Sequence, residues 1–395
     1  MNQPFLLQMV GRLEGFLGKL PAAIQKPVLQ ELTPLKELFL QQRSPRFVLT
    51  GSAKIPLQEI IPALFGAAHQ IDLRDALMEV FRWQKTNIGG HGTVELLDAR
   101  GADASANARI AEELGRQPGD LFFHIADAGA GRSSRSDDLE TLAGYLARSS
   151  SARPAKALGL VIGETRRAVV SDSAPERRPT TGTAAEKLRE RMQAVAGIGE
   201  HLIEVVELPL SGDSSASTRL MALLTRILPN ECRIEMARIS RDRAAQAEIA
   251  QSLVKSTAAI CAAVGTQPIP LADLPILTAL QLMMVSGIMY ISGRERNVRA
   301  ATEFIAALGV NFGAGMILRE GTRAALKFFP GWGNVVCGMV AGAGTYGIGK
   351  AATVYFLEGM TLRDARRAYV AGRKRRARPQ LEDATTAKPK RRTRA

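Results

Sequence analysis

Aromatic residues make up only 5% of these 395 residues, and cysteine occurs three times. Cys232, Cys261 and Cys337 are odd in number, widely spaced and free of any C-x-x-C pair. That excludes a disulfide framework and a cysteine zinc site, and reads as reduced thiols in a cytoplasmic setting. His69, His91, His124 and His201 lie far apart, with no H-x-x-x-H and no neighbouring cysteine, so no metal site is expected. Loop serines such as Ser133, Ser134 and Ser136 lack a G-x-S-x-G elbow, and no catalytic residue is assigned. Charge is also missing locally. Leu274–Gly293, Phe304–Leu318 and Phe328–Gly349 hold no Asp, Glu, Lys or Arg over 20, 15 and 22 residues. A helix needs roughly 20 apolar residues to cross a bilayer.

The net charge of +14 is unevenly placed. From Arg363 to Ala395, thirteen Lys or Arg face three acids, so +10 of the total sits in this tail. Residues 1–362 are near neutral. A basic tail of this kind, with Arg373-Lys374-Arg375-Arg376, suits anionic lipid or RNA through salt-sensitive contacts. No aromatic residue follows Tyr369, which argues against base stacking and makes nucleic acid the less favoured partner.

Met1–Leu40 shows no secretory pattern. Phe5, Leu6, Met9, Val10, Leu13 and Leu17 recur in helical rhythm, interrupted by Arg12, Glu14 and Lys19. Two amphipathic helices are expected over residues 1–43. Short buried strands follow at Arg46–Thr50, Val94–Leu97, Asp120–Ala126, Ala157–Ile162 and His201–Leu208. Helical stretches, notably Leu57–Phe65, Ala104–Leu114 and Asp137–Ala147, lie between them. This alternation predicts an α/β unit with a mainly parallel sheet covered on both faces. Gly89-Gly90-His91-Gly92 reads as a tight hairpin turn, and Glu231–Val264 as one long Ala-rich helix.

The strand–turn–helix at Phe47–Phe65 sits where a phosphate-binding loop, G-x-x-x-x-G-K-[ST], is expected. Counted from Gly51, the second Gly, the Lys and the hydroxyl residue fall on Pro56, Leu57 and Gln58. Proline supplies no amide and leucine no charge, and Lys54 stands too early to substitute. As a nucleotide site the loop is broken.

The order of parts over residues 44–215 nonetheless resembles an Era-like GTPase domain. Arg46–Gly66 is similar to that family's first strand, loop and helix, and Asp98-Ala99-Arg100-Gly101 fits its D-x-x-G. The resemblance implies a P-loop GTPase-like fold. It also implies vestigial nucleotide-binding positions at Gly51, Lys54, Asp98 and Gly101, with Asp98 facing magnesium through water and Gly101 facing the γ-phosphate. Gly163-Glu164-Thr165-Arg166 stands where the guanine-reading N-K-x-D belongs, so Arg166 replaces the carboxylate.

Residues 228–356 resemble the domain of unknown function of YcjF-type bacterial inner-membrane proteins. The resemblance is carried by Pro268-Ile269-Pro270 with Asp273, Leu277-Thr278-Ala279-Leu280-Gln281, Pro330-Gly331-Trp332-Gly333-Asn334, and Gly338 with Gly342. It implies a cytoplasm-facing protein attached to the inner membrane. Glycines spaced as Gly338-x-x-x-Gly342 let helices approach closely in lipid. Arg294, Arg296 and Arg299 after the first uncharged block suit a cytoplasmic flank. A soluble bundle with buried, wholly apolar helices accounts for the same blocks.

The expected plan is amphipathic helices over 1–43 and a degenerate GTPase-like α/β domain over 44–228. An all-α, membrane-associated domain with an apolar hairpin follows over 229–362, and a disordered basic tail over 363–395. The expected function is a hydrolysis-deficient adaptor that needs no cofactor, attached to the inner membrane by its C-terminal helices, with the basic tail gripping anionic lipid and the α/β domain binding an unknown protein partner. Two alternatives stay open. One is an active GTPase holding GTP and Mg2+ through Lys54 and Asp98; the other is a soluble helical protein binding nucleic acid through its tail.

Overall fold

The computed structural model describes residues 25–26, 29–30, 41–66, 81–128, 136–149, 155–163, 183–210, 214–266, 273–309 and 332–373. Most of residues 1–43, the tail beyond Arg373, and Arg166, Ser211 and Gly212 lie outside them. Residues 43–241 form one compact unit, and the chain from Asp242 onward belongs to a second.

The first unit is built on β1 (Arg46–Gly51), β2 (Gln84–Ile88), β3 (Gly92–Asp98), β4 (Leu121–Asp127), β5 (Lys156–Ile162) and β6 (Leu202–Leu208). They form one sheet in the order β2-β3-β1-β4-β5-β6. All neighbours are parallel except β2 and β3, an antiparallel hairpin closed by Gly89-Gly90-His91, with His91 N–H donating to Ile88 O at 3.0 Å. Helices α1 (Leu57–Phe65), α2 (Ala104–Arg116), α3 (Ser136–Arg148), α4 (Ala184–Ala194), α5 (Ser214–Ile227) and α6 (Asn230–Ser240) cover both faces. Phe47, Leu49, Phe123 and Ile125 pack with α1, α5 and α6. Val48, Phe122, Ala157 and Val161 pack with α2, α3 and α4. Burial on two faces is why these strands read as unbroken apolar runs instead of alternating ones.

The single helix expected over 231–264 is two helices. Arg241 takes a left-handed conformation at φ 52°, and Asp242 caps α7 (Arg243–Gly265), accepting from Ala244 N–H at 2.8 Å and Ala245 N–H at 3.2 Å. Helix α6 packs on the sheet, with Cys232, Met236 and Ile239 in its core. Glu235 accepts from Thr93 N–H at 3.0 Å.

The second unit contains α7, α8 (Asp273–Ile291), α9 (Val298–Ala307) and α10 (Trp332–Ala352), which runs into a π-helical turn at Thr353–Leu357. Residues 362–373 form a further helix, α11, although a disordered tail is expected from 363 onward. The first uncharged block is α8, and α10 carries the described part of the third; most of the second lies outside the described residues. The transmembrane reading of the uncharged blocks finds no support among the described residues, where no helix is long and apolar enough to cross a membrane.

The glycine spacing instead serves contact within the chain. A Cβ on Gly338 would stand 2.6 Å from Ala262 O, and one on Gly342 2.8 Å from Ala262 Cβ, so α10 approaches α7 backbone to backbone. Gln281 of α8 donates to the fully buried Thr345 of α10 at 3.0 Å. The Cys261 thiol of α7, pushed up to about 12 by burial, bonds the same hydroxyl. This lack of charge accompanies a packed three-helix core. The arginines after α8 are engaged as well. Arg294 lies 5.0 Å over the Phe356 ring and Arg296 4.4 Å over Tyr290, while Arg299 pairs with Glu303 at 2.9 Å.

Candidate functional site

In an open parallel sheet, ligands bind beyond the carboxyl ends of the strands where the crossover direction reverses. Here that point lies at the end of β1, flanked by β3 on one side and β4 on the other. The sequence-assigned positions converge on it. Gly51 ends β1, paired with Ile125 of β4; Asp98 ends β3, paired with Leu49 of β1; Gly101 follows, and a Cβ on it would stand 3.3 Å from Ala53.

The turn from β1 to α1 is tight. Gly51 sits at φ 90°, and a Cβ there would lie 2.4 Å from Ile125 O, so no side chain fits. Ser52 N–H donates to Ile125 O at 2.9 Å, which spends on the sheet an amide that a phosphate cradle would need. Pro56 caps α1 without an N–H, and Lys54 is exposed.

Arg100, the residue that D-x-x-G leaves unspecified, fills the crevice. Its Nε and Nη2 each donate to the Asp98 carboxylate at 2.8 Å. Its Nη1 donates to Ser52 O at 3.2 Å and to Ile55 O at 2.6 Å. The Arg100 side chain is 5% exposed. The loop thus presents carbonyls to a resident cation, where a nucleotide site presents amides to an anion. A magnesium ion at Asp98 would have to displace a guanidinium holding four hydrogen bonds, so these residues do not fit Mg2+. Sequence reasoning missed Arg100 because the motif fixes only Asp and Gly. Among the described residues, no group of three His, Cys, Asp or Glu converges.

Beneath the loop lies His124, fully buried in β4, its Nδ1 3.3 Å from Thr50 Oγ. Burial first, and the Arg191 charge second, push its pKa down to about 4. The unfolded chain, with a histidine near 6.5, binds the proton more readily, so this neutral imidazole supports folding above pH 6.5 and loses that support as pH falls toward 4. We expect this to cost the unit about 3 kcal/mol across that window. Urea unfolding at several pH values checks it. His124→Leu should flatten the profile there, and an unchanged slope would refute the assignment.

At the opposite end of the sheet, Asp120 joins three elements. It accepts from Arg43 at 2.6 and 2.5 Å, from Arg46 N–H at 2.9 Å and from Cys232 Sγ at 3.4 Å. Burial and then the Asp120 charge raise the Cys232 pKa, so the thiol remains a donor.

The molecule is thus a six-stranded, mostly parallel α/β unit with a filled switch-point crevice, joined to a helical unit. No known protein family matches the chain. Over 132 residues it is 29% identical to Magnetosome membrane protein 22 of Magnetospirillum gryphiswaldense. That match covers 31% of this chain and 66% of the relative, just under two thirds of its length.

Proposed function

We propose that this chain is a membrane-associated adaptor whose α/β unit is a P-loop GTPase-like fold that no longer hydrolyses nucleotide. The observation that carries the reading is the Asp98–Arg100 fork. Seating magnesium and a triphosphate would strand a buried guanidinium, and breaking such a pair costs about 3–5 kcal/mol, or roughly 100- to 1,000-fold or more in affinity. The loop offers little in return, since Pro56 and Leu57 stand where an amide and an ammonium would act. Strand order, the turn at Gly51, and Asp98 and Gly101 beside it support descent from an Era-like nucleotide-binding fold. The surface of the unit then serves a protein partner.

Membrane association is supported by the relative, a membrane protein by name, and by the apolar helical unit with its resemblance to YcjF-type inner-membrane proteins. A bacterial inner membrane, faced from the cytoplasmic side, is the location this favours.

Calorimetric titration with GTP or ATP and Mg2+ is the test. No binding tighter than about 1 mM is expected. Micromolar binding that Asp98→Ala weakens would establish the enzyme instead. Fractionation of cells separates the second half of the proposal: the chain should sediment with membranes at low salt, and full recovery in the soluble fraction would contradict it.

A further inference from the structure

Helix α11 offers a surface that the membrane part of the proposed function requires, and this inference rests on that part. Its inner side is fixed by packing. Ala365 and Gly372 are buried, a Cβ on Gly372 would lie 3.3 Å from Gly347 Cα, and one on Gly347 would lie 2.8 Å from Tyr369 O. At about 100° per residue, Arg363 and Arg367 lie opposite Ala365, Arg366 and Arg373 lie on the flank, and all four fall within about 60° of Val370. All four arginines are exposed, and Val370 is 49% exposed. Met360, also 49% exposed, precedes the helix. The one acid within 362–373, Asp364, stands off this stripe, bonded to Thr361 at 2.6 Å and 3.5 Å from Arg367. Arg366 donates to Ala307 O at 3.0 and 2.8 Å, which pins α11 to the end of α9.

We infer that this outer face of α11 is the docking surface for an anionic lipid headgroup layer. Four cations on one ordered face match a plane of negative headgroups, and each cation held near such a surface adds to binding. The exposed Val370 and Met360 favour lipid over nucleic acid. An apolar centre gains by entering the headgroup boundary, whereas a phosphate backbone has nothing to offer it and stacking would need aromatic side chains. Arg294 and Arg296, between α8 and α9, lie over the Phe356 and Tyr290 rings instead of beside an exposed apolar residue. The tail beyond Arg373 adds charge, but the placement of charge around Val370 belongs to the helix.

The test is flotation of the full-length chain with phosphatidylcholine vesicles, with and without phosphatidylglycerol. Binding is expected only with phosphatidylglycerol, and it should weaken at high salt. Arg363→Gln/Arg366→Gln/Arg367→Gln should weaken it roughly 100-fold, and Val370→Asn several-fold at unchanged charge. A full-length chain with Lys374, Arg375, Arg376 and Arg378 all changed to Gln should keep its dependence on α11. Because Arg366 also braces α9, Arg363→Gln/Arg367→Gln provides a variant that leaves that brace intact. If wild type binds but these variants bind equally well, the inference falls and membrane association stands. If wild type binds no vesicle, both fall. A salt-sensitive RNA shift lost in the triple variant, without vesicle binding, would make nucleic acid the occupant and overturn the inference.

Discussion

Asp120→Ala is expected to lower the unfolding free energy of the α/β unit by about 3–5 kcal/mol, the usual cost of leaving one member of a buried pair alone. The Asp120 side chain is 5% exposed, and its two oxygens collect four hydrogen bonds from Arg43, Arg46 N–H and Cys232. Those donors come from the start of β1, the residue before that strand's approach, and α6. Removing the carboxylate leaves the 31% exposed Arg43 guanidinium without its fork partner. It also releases the anchor that ties α6 to the sheet. Asp120→Asn keeps an acceptor and loses the charge, so about half the penalty should remain. Urea unfolding followed by far-ultraviolet circular dichroism measures both. A loss below about 1 kcal/mol for the alanine variant would mean the pair is no better than an exposed one.

Gly338→Leu should destabilise the helical unit, while Gly344→Ala on the same helix should stabilise it. A Cβ at 338 would meet Thr266 Cγ2 at 2.4 Å and Ala262 O at 2.6 Å. The second of these atoms is backbone and cannot rotate away, so α7 and α10 must separate. Overpacking of a tight core costs about 1–3 kcal/mol and sometimes more. At 344 a Cβ meets nothing within 4 Å. There the exchange returns only the helix preference of alanine over glycine, up to about 1 kcal/mol. Thermal unfolding of the two variants side by side separates these effects. Equal tolerance at both positions would rule out close packing of α10 on α7.

The central strands were legible because double-sided burial writes itself as runs such as Phe47-Val48-Leu49 and Leu121-Phe122-Phe123. Edge strand β2 was not. Gln84–Ile88 is polar on one side, with Lys85 and Asn87 exposed, and no run marks it. The break at Arg241 hid in a sequence whose helical composition continues on both sides; the signal was Asp242, a capping residue inside an Ala-rich stretch. The uncharged blocks were ambiguous for a physical reason. A helix apolar all round has the same composition whether lipid or other helices surround it, and only contacts such as Gly338 with Ala262 distinguish them. At the crevice, motif counting brought out Gly51, Asp98 and Gly101 but passed over Arg100, whose role depends on carbonyls that no side-chain pattern reveals.

The guanidinium seated against Asp98 has one property that no dissolved ion shares: it is covalently tethered. Its local concentration at the carboxylate is fixed by a two-residue step along the chain and does not follow the ionic composition of the surroundings. Dialysis cannot remove it, chelators cannot compete for it, and starvation for magnesium leaves it in place. In the adaptor reading proposed above, the turn after β1 keeps a single setting, and a partner docking beside it meets an unchanging surface in place of a clock.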